Sequence, residues 1–284
     1  MKSIYISSLA FLGKPVEEII EIVNQHNWSL EFSSGMPYRA DMEKIYLEAP
    51  IKKIPHNYFP APLIPFVLNL ASANQSIRKV SIEHCKKGLW LSQQSRAPFF
   101  SAHAGFCIDP DPNQLGRKIQ YDPDFDKAKN KELFIASVNT VLQMADELGV
   151  DFLIENNVIA SFNLNNRKIN PLLCCESTEI EWLFSEINNP RLGLLLDTAH
   201  LKVSCRTLNL RLEEETRNVL PFIKAIHHSD NDGLIDDNQE FKNDYWFLPY
   251  LKKIDPSIVH VVEVKNISTS IIEKQINLLL SHGC

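Results

Sequence analysis

Short apolar runs alternate along the whole chain with longer stretches in which apolar residues recur every three or four positions. The runs read as buried strands and the longer stretches as amphipathic helices. SIYISSLAF (3–11), WSLEFSSG (28–35), KKIPHNYFP (52–60) and PFFSAHAGF (98–106) are four strand candidates in the first half. DFLIENN (151–157), LGLLLDTAH (192–200), AIHHSDND (225–232) and IVHVVEVK (258–265) are four more in the second. Between them, PVEEIIEIVNQH (15–26) opens on proline, as a first helical turn tolerates. The segment Ser76–Gln94 has helical spacing, and KNKELFIASVNTVLQMADELG (129–149) is the clearest amphipathic helix, stopped by Gly149. TEIEWLFSEI, the region Leu208–Ile223 and STSIIEKQINLLLSHG supply the later helices. A loop rich in Asp, Pro and Asn, residues 109–126, interrupts the pattern after the fourth strand.

Eight strands, each followed by helix or loop, imply parallel strands joined by helical crossovers. An open doubly wound sheet would alternate in the same way, but no G-x-G-x-x-G follows the first strand and the chain holds only 9 glycines. The expected fold is therefore an α/β (β/α)₈ TIM barrel, one domain over residues 1–284, a length that such barrels commonly reach.

Composition narrows the function. Hydrophobic residues make up 44% of the chain, enough for one large core, and the net charge of −6 argues against a phosphate-backbone partner. No nucleic acid is expected. MKSIYISSLAF reads as a first buried strand rather than a signal peptide, and no run of about 18 apolar residues suggests a membrane span. The six cysteines form no C-x-x-C pair, which favours reduced thiols and a cytoplasmic setting over a disulfide or zinc scaffold. The oligomeric state is left open.

Four late strands share one design, an apolar run ending in a side chain that can bind metal: FLIE at Glu155, LGLLLD at Asp197, KAIH at His227 and VHVVE at Glu263. In a barrel, residues at C-terminal strand ends converge on one mouth. Carboxylates set beside buried leucines and valines are costly unless paired or metal-bound. The alternative for each is an ordinary residue where a strand leaves the core; Asp197 could also be a helix N-cap, and His200 a satisfied core histidine. His227 and His228 are neighbours, so only one can face the others. His103 ends the fourth strand as either rim ligand or structural hydrogen-bonder. His56 and Glu31, at the ends of earlier strands, are expected to contact substrate or brace the rim.

DTAH (197–200), IHHSDNDG (226–233), LIENN (153–157) and VVEV (261–264), in this order, resemble the xylose isomerase-like sugar phosphate isomerase/epimerase superfamily. PHNYFP, VLNLASANQSIRKVSI (67–82) and SAHAG (101–105) extend the likeness to its relative endonuclease IV. The resemblance implies one divalent ion held by Glu155, Asp197, His227 (rather than His228) and Glu263, with His200 at the substrate. Such an oxygen-rich set suits Mn²⁺, Mg²⁺ or Co²⁺, with Zn²⁺ possible. The expected activity is isomerisation or epimerisation of a small sugar or sugar phosphate. Glu155 and Glu263 would act as general base and acid through an enediolate, and His56, His103, His200 and Glu31 would bind substrate. A dehydratase uses the same machinery. Metal-dependent phosphoester hydrolysis is the alternative, and a non-catalytic barrel that keeps the metal site is a third. Two departures matter. In DGLIDDNQEF (232–241), Asn238 stands where endonuclease IV-like members carry a histidine, and the arginine that some ketose epimerases place after the metal histidine is missing.

Overall fold

A computed structural model describes residues 4–33, 35–164 and 169–284. Eight strands run parallel: β1 (Ile4–Ser7), β2 (Ser29–Phe32), β3 (Lys53–Pro55), β4 (Phe99–His103), β5 (Asp151–Glu155), β6 (Leu192–Asp197), β7 (Ile223–His228) and β8 (Val259–Val262). Their order is β3-β2-β1-β8-β7-β6-β5-β4, and a parallel bridge between His56 and Ser101 links the two ends of this sheet. The result is a nearly closed (β/α)₈ barrel. Among the described residues the α-helices are α1 (Val16–Gln25), α2 (Met42–Glu48), α3 (Gln75–Ser95), α4 (Lys127–Leu148), α5 (Ser177–Glu186), α6 (Thr198–Leu208), α7 (Leu212–Val219) and α8 (Thr269–Ser281).

The strands are shorter than the apolar runs that announce them, because polar ends of those runs leave the ladder as loops. Ser3 and Ser34, read as parts of the first and second strands, lie outside the described residues. Three boundaries differ in kind. LGLLLDTAH is not one strand: it ends at Asp197, whose side chain accepts the His200 backbone N–H at 2.8 Å and starts α6 at once. Asn209, in a left-handed conformation, closes α6, so the single helix expected over 208–223 is replaced by the end of α6, the short α7 and a 3₁₀ turn. Helix α2, in a stretch with weak periodicity, has no counterpart in the sequence reading. Gly149 does close α4, at φ +70°, the conformation for which glycine has no steric penalty.

Side chains alternate between two environments along every strand. Tyr5, Ile54, Phe99, Leu153, Leu195, Ala225, Val259 and Val261 point inward and fill the barrel. Ile6, Leu30, Phe32, Phe100, Phe152, Ile154, Leu194, Leu196, Ile226 and Val262 point outward, into the larger core beneath the helices. Farther along the strands, the same parity presents Glu31, His56, His103, Glu155, Asp197, His227 and Glu263 to the C-terminal mouth. Register locks them to a common level: His103 pairs with Glu155, and Asp197 with His227.

Candidate metal centre

Glu155, Asp197, His227 and Glu263 each offer a ligand atom, and these atoms all lie within 4.8 Å of one another. His227 Nδ1 is 2.8 Å from Glu263 Oε2, 3.6 Å from Glu155 Oε1 and 3.9 Å from Asp197 Oδ2. Glu155, Asp197 and His227 are buried. Three polar atoms of this quartet, Glu155 Oε2, Asp197 Oδ2 and His227 Nδ1, have no aligned hydrogen-bond partner, a costly state away from water. Two carboxylate oxygens and an imidazole nitrogen left unsatisfied around one point are what a divalent cation would satisfy, so the residues present fit such an ion.

The surrounding structure orients each ligand. His227 Nε2 is 2.9 Å from Glu31 Oε2. Burial disfavours the Glu31 carboxylate, yet the charge of His227 and its hydrogen bond outweigh it and hold the group below its ordinary range. Glu31 therefore accepts the Nε2–H and turns Nδ1 toward the other three ligands, the usual arrangement behind a metal-binding histidine. Burial likewise opposes charge on His227, but Glu263 and Glu31 overcome it and raise its pKa well above the ordinary value. Asp197 uses Oδ1 as the N-cap of α6, which leaves Oδ2 free to face the centre, so capping does not exclude a ligand role. Asn156 clamps its backbone, accepting the Asp197 N–H at 2.7 Å and donating to the Asp197 carbonyl at 3.0 Å. Burial pushes the Asp197 carboxyl up to about 7 and raises Glu155 well above the carboxylate range.

His56 and His103 stand beside Glu155, their Nε2 atoms 3.3 and 3.6 Å from its Oε2. With Glu155 they form a second group of converging ligand atoms, and Glu31, His56 and His227 form a third. His56 Nδ1 lies 2.8 Å from Ser101 Oγ, across the closing seam of the barrel. Burial lowers its pKa to about 4, and burial together with the neighbouring histidines keeps His103 well below the ordinary value. Both rings are neutral. His200 is anchored by Nδ1 to the Asn156 carbonyl at 2.9 Å and by Nε2 to Asp236 Oδ2 at 3.1 Å. Burial opposes its charge, but Asp197 and Asp236 raise its pKa well above the ordinary value.

His228 faces the other way, as the parity of β7 requires. Its Nε2 is 2.9 Å from His260 Nδ1 and its Nδ1 3.2 Å from the Tyr245 hydroxyl. Asn238 also lies away from the centre, on a wide polar cleft with Asp237 and Lys265. The sequence reading missed Asp236, which comes from a loop with three aspartates near one another and no periodicity to distinguish them. It missed Asn156 too, since LIENN drew attention only to its glutamate.

Beside the quartet opens a cavity of about 390 Å³ lined by His103 and His200, which stand next to Glu155, and walled by loops following β3, β4, β5 and β7. None of the described helices is long and apolar enough to cross a membrane, and the six cysteines are buried and unbridged.

Comparisons with known proteins agree with this architecture. The uncharacterized protein MJ1614 of Methanocaldococcus jannaschii is 25% identical over 215 residues, 70% of this chain and 67% of that protein. A D-tagatose 3-epimerase-like protein of known structure superimposes with a TM-score of 0.73 at 18% identity, over 99% of this chain and 97% of the other. The IOLI protein, crystallised with a zinc atom, gives a TM-score of 0.68 at 12% identity over 100% and 98% of the two chains. The family model for the xylose isomerase-like TIM barrel matches residues 13–270, and the chain belongs to that family.

Proposed function

We propose that this protein is a divalent-metal-dependent isomerase or epimerase of a small carbohydrate. The observation that carries the reading is the quartet itself: its ligand atoms lie within 4.8 Å of one another, the buried Glu155 Oε2 and Asp197 Oδ2 have no hydrogen-bond partner among the described residues, and a cavity opens beside them. Epimerase structures of the same fold support it, D-tagatose 3-epimerase-like protein among them. Glu155, Asp197, His227 and Glu263 would hold the ion, which when bound acts as a Lewis acid and offsets the charge that develops as a proton leaves the carbon beside a carbonyl.

The chain's own residues supply the proton movements. Glu155 leaves β5 and Glu263 follows β8, with β6 and β7 between them, so the two carboxylates reach a central substrate from different sides. One removes the carbon-bound proton and the other returns one to the opposite face or to the neighbouring atom. Burial favours a proton on Glu155, which suits a group that must both hold and release one. Neutral His56 and His103 offer hydrogen bonds to hydroxyls without adding charge. His200, fixed by Asp236, stands where the cavity meets the quartet.

The test is solvent hydrogen exchange. In D₂O with Mn²⁺ and a panel of ketoses, ketose phosphates and keto acids, deuterium should enter at the carbon next to the carbonyl, and Glu155→Gln should abolish this. A second reading, metal-assisted phosphoester hydrolysis, is favoured by one observation: His56 and His103 converge on Glu155 as a further ligand group, as a two-ion centre sharing that carboxylate would need. Cleavage of an abasic-site duplex without exchange on any carbonyl substrate would exchange the two readings.

A further inference from the structure

The cavity beside the quartet has two kinds of wall. Where it meets the site, Asn57 Oδ1, His103 Nδ1 and Asp236 Oδ1 are buried polar atoms with no hydrogen-bond partner among the described residues. The two oxygens only accept, and a neutral histidine nitrogen accepts in one of its tautomers. Hydroxyl groups are the natural donors to such a set.

The other wall is apolar and built from three loops far apart in sequence: Phe106, Leu115 and Ile119 after β4, Phe162 and Leu172 after β5, and Ile235 after β7. Phe106, Ile119 and Leu172 are buried, whereas Leu115, Phe162 and Ile235 remain 37%, 38% and 46% exposed. Three large apolar side chains from three segments thus meet solvent around one cavity. A bare pentose or hexose would gain little from that wall, and a volume of about 390 Å³ falls in the range that encloses a larger ligand. Among the described residues lining the cavity there is no lysine or arginine, and Asp236 is acidic, so those residues offer a phosphate no cationic partner.

The geometry points to a substrate that is a sugar carrying an apolar substituent, aryl or alkyl. Its hydroxyls sit against Asn57, His103 and Asp236 beside Glu155, and its substituent lies among the six apolar side chains. This inference rests on the carbohydrate reading above and adds the substrate class to it.

The experiment titrates the Mn²⁺-loaded protein by calorimetry with paired phenyl and methyl β-glycosides of glucose, galactose and xylose. Hydrogen exchange on the free ketoses is followed in parallel. The phenyl member of at least one pair should bind about tenfold tighter or more, as burial of an aromatic ring on an apolar wall provides. Phe162→Asp and, separately, Ile235→Asp should bring that ratio toward one. Both side chains are partly exposed, so the variants fold, and a melting curve verifies it. Equal affinity within every pair, or binding by none, overturns the proposal even if ketoses exchange. A phenyl preference that survives both substitutions also overturns it. A phenyl preference lost in both variants, with no exchange on any ketose, supports the subsite and counts instead against proton-transfer chemistry.

Discussion

The two halves of the barrel meet the same centre with different chemistry. Strands β5 to β8 deliver the quartet, one candidate ligand from each strand end, with Glu155 Oε2 and Asp197 Oδ2 lacking a hydrogen-bond partner among the described residues. Strands β2 to β4 deliver Glu31, His56 and His103, whose contacts run mainly to the quartet rather than alongside it: Glu31 to His227, His56 and His103 to Glu155. The late half thus holds acid groups in excess, and the early half sets their protonation and direction. A buried cluster this acidic is tolerable only because each charge has a compensating neighbour or would gain one from a cation.

The sharpest way to break that division is to remove a late-half ligand. Glu263→Gln keeps the shape but loses a negative charge, and Mn²⁺ affinity measured by isothermal titration should fall by more than about 100-fold, beyond what changes outside the ligand set produce. Unchanged affinity would show that the quartet is not the ligand set. An early-half change should act more weakly and only through its partner. Glu31→Gln weakens the hold on the His227 Nε2–H, so affinity should fall about 10- to 100-fold. An effect as large as that of Glu263→Gln would make Glu31 a ligand in its own right.

Protons compete for the same atoms. Burial raises Asp197 to about 7, and metal binding requires its carboxylate, so Mn²⁺ affinity should rise with pH and fall away as pH drops through 7. Titrations in buffers of different ionisation enthalpy should register protons released on binding; none released would contradict a protonated quartet. The smallest effect should come from the outer face of β7. Tyr245 donates to Thr198 Oγ1 at 2.6 Å and lies 3.2 Å from His228 Nδ1. Tyr245→Phe should cost about 1 kcal/mol of stability in denaturant unfolding while metal affinity stays within about twofold. A large loss of affinity would mean that the outer network also positions the ligands.

Much of this was legible before any coordinates. The 3.6 and 2.0 periodicities are local properties of the chain, so strand and helix alternation, and with it the barrel, could be read directly. So could Glu155, Asp197, His227 and Glu263, because an apolar run stopped by a metal-capable side chain is a pattern within a few residues. Parity alone separates His227 from His228, but which of the two faces inward depends on how β7 registers against β6 and β8, and that is a property of three strands at once. The helix start at Thr198 hides in LGLLLDTAH because a capping aspartate inside an apolar run carries no periodic signal. Only the tertiary structure decided that Glu31 braces His227, that the seam of the barrel runs through His56 and Ser101, and that Asp236 reaches His200. These contacts join residues 36 to 196 positions apart in the chain, and their partners are chosen by barrel closure and loop packing, which no window of sequence contains.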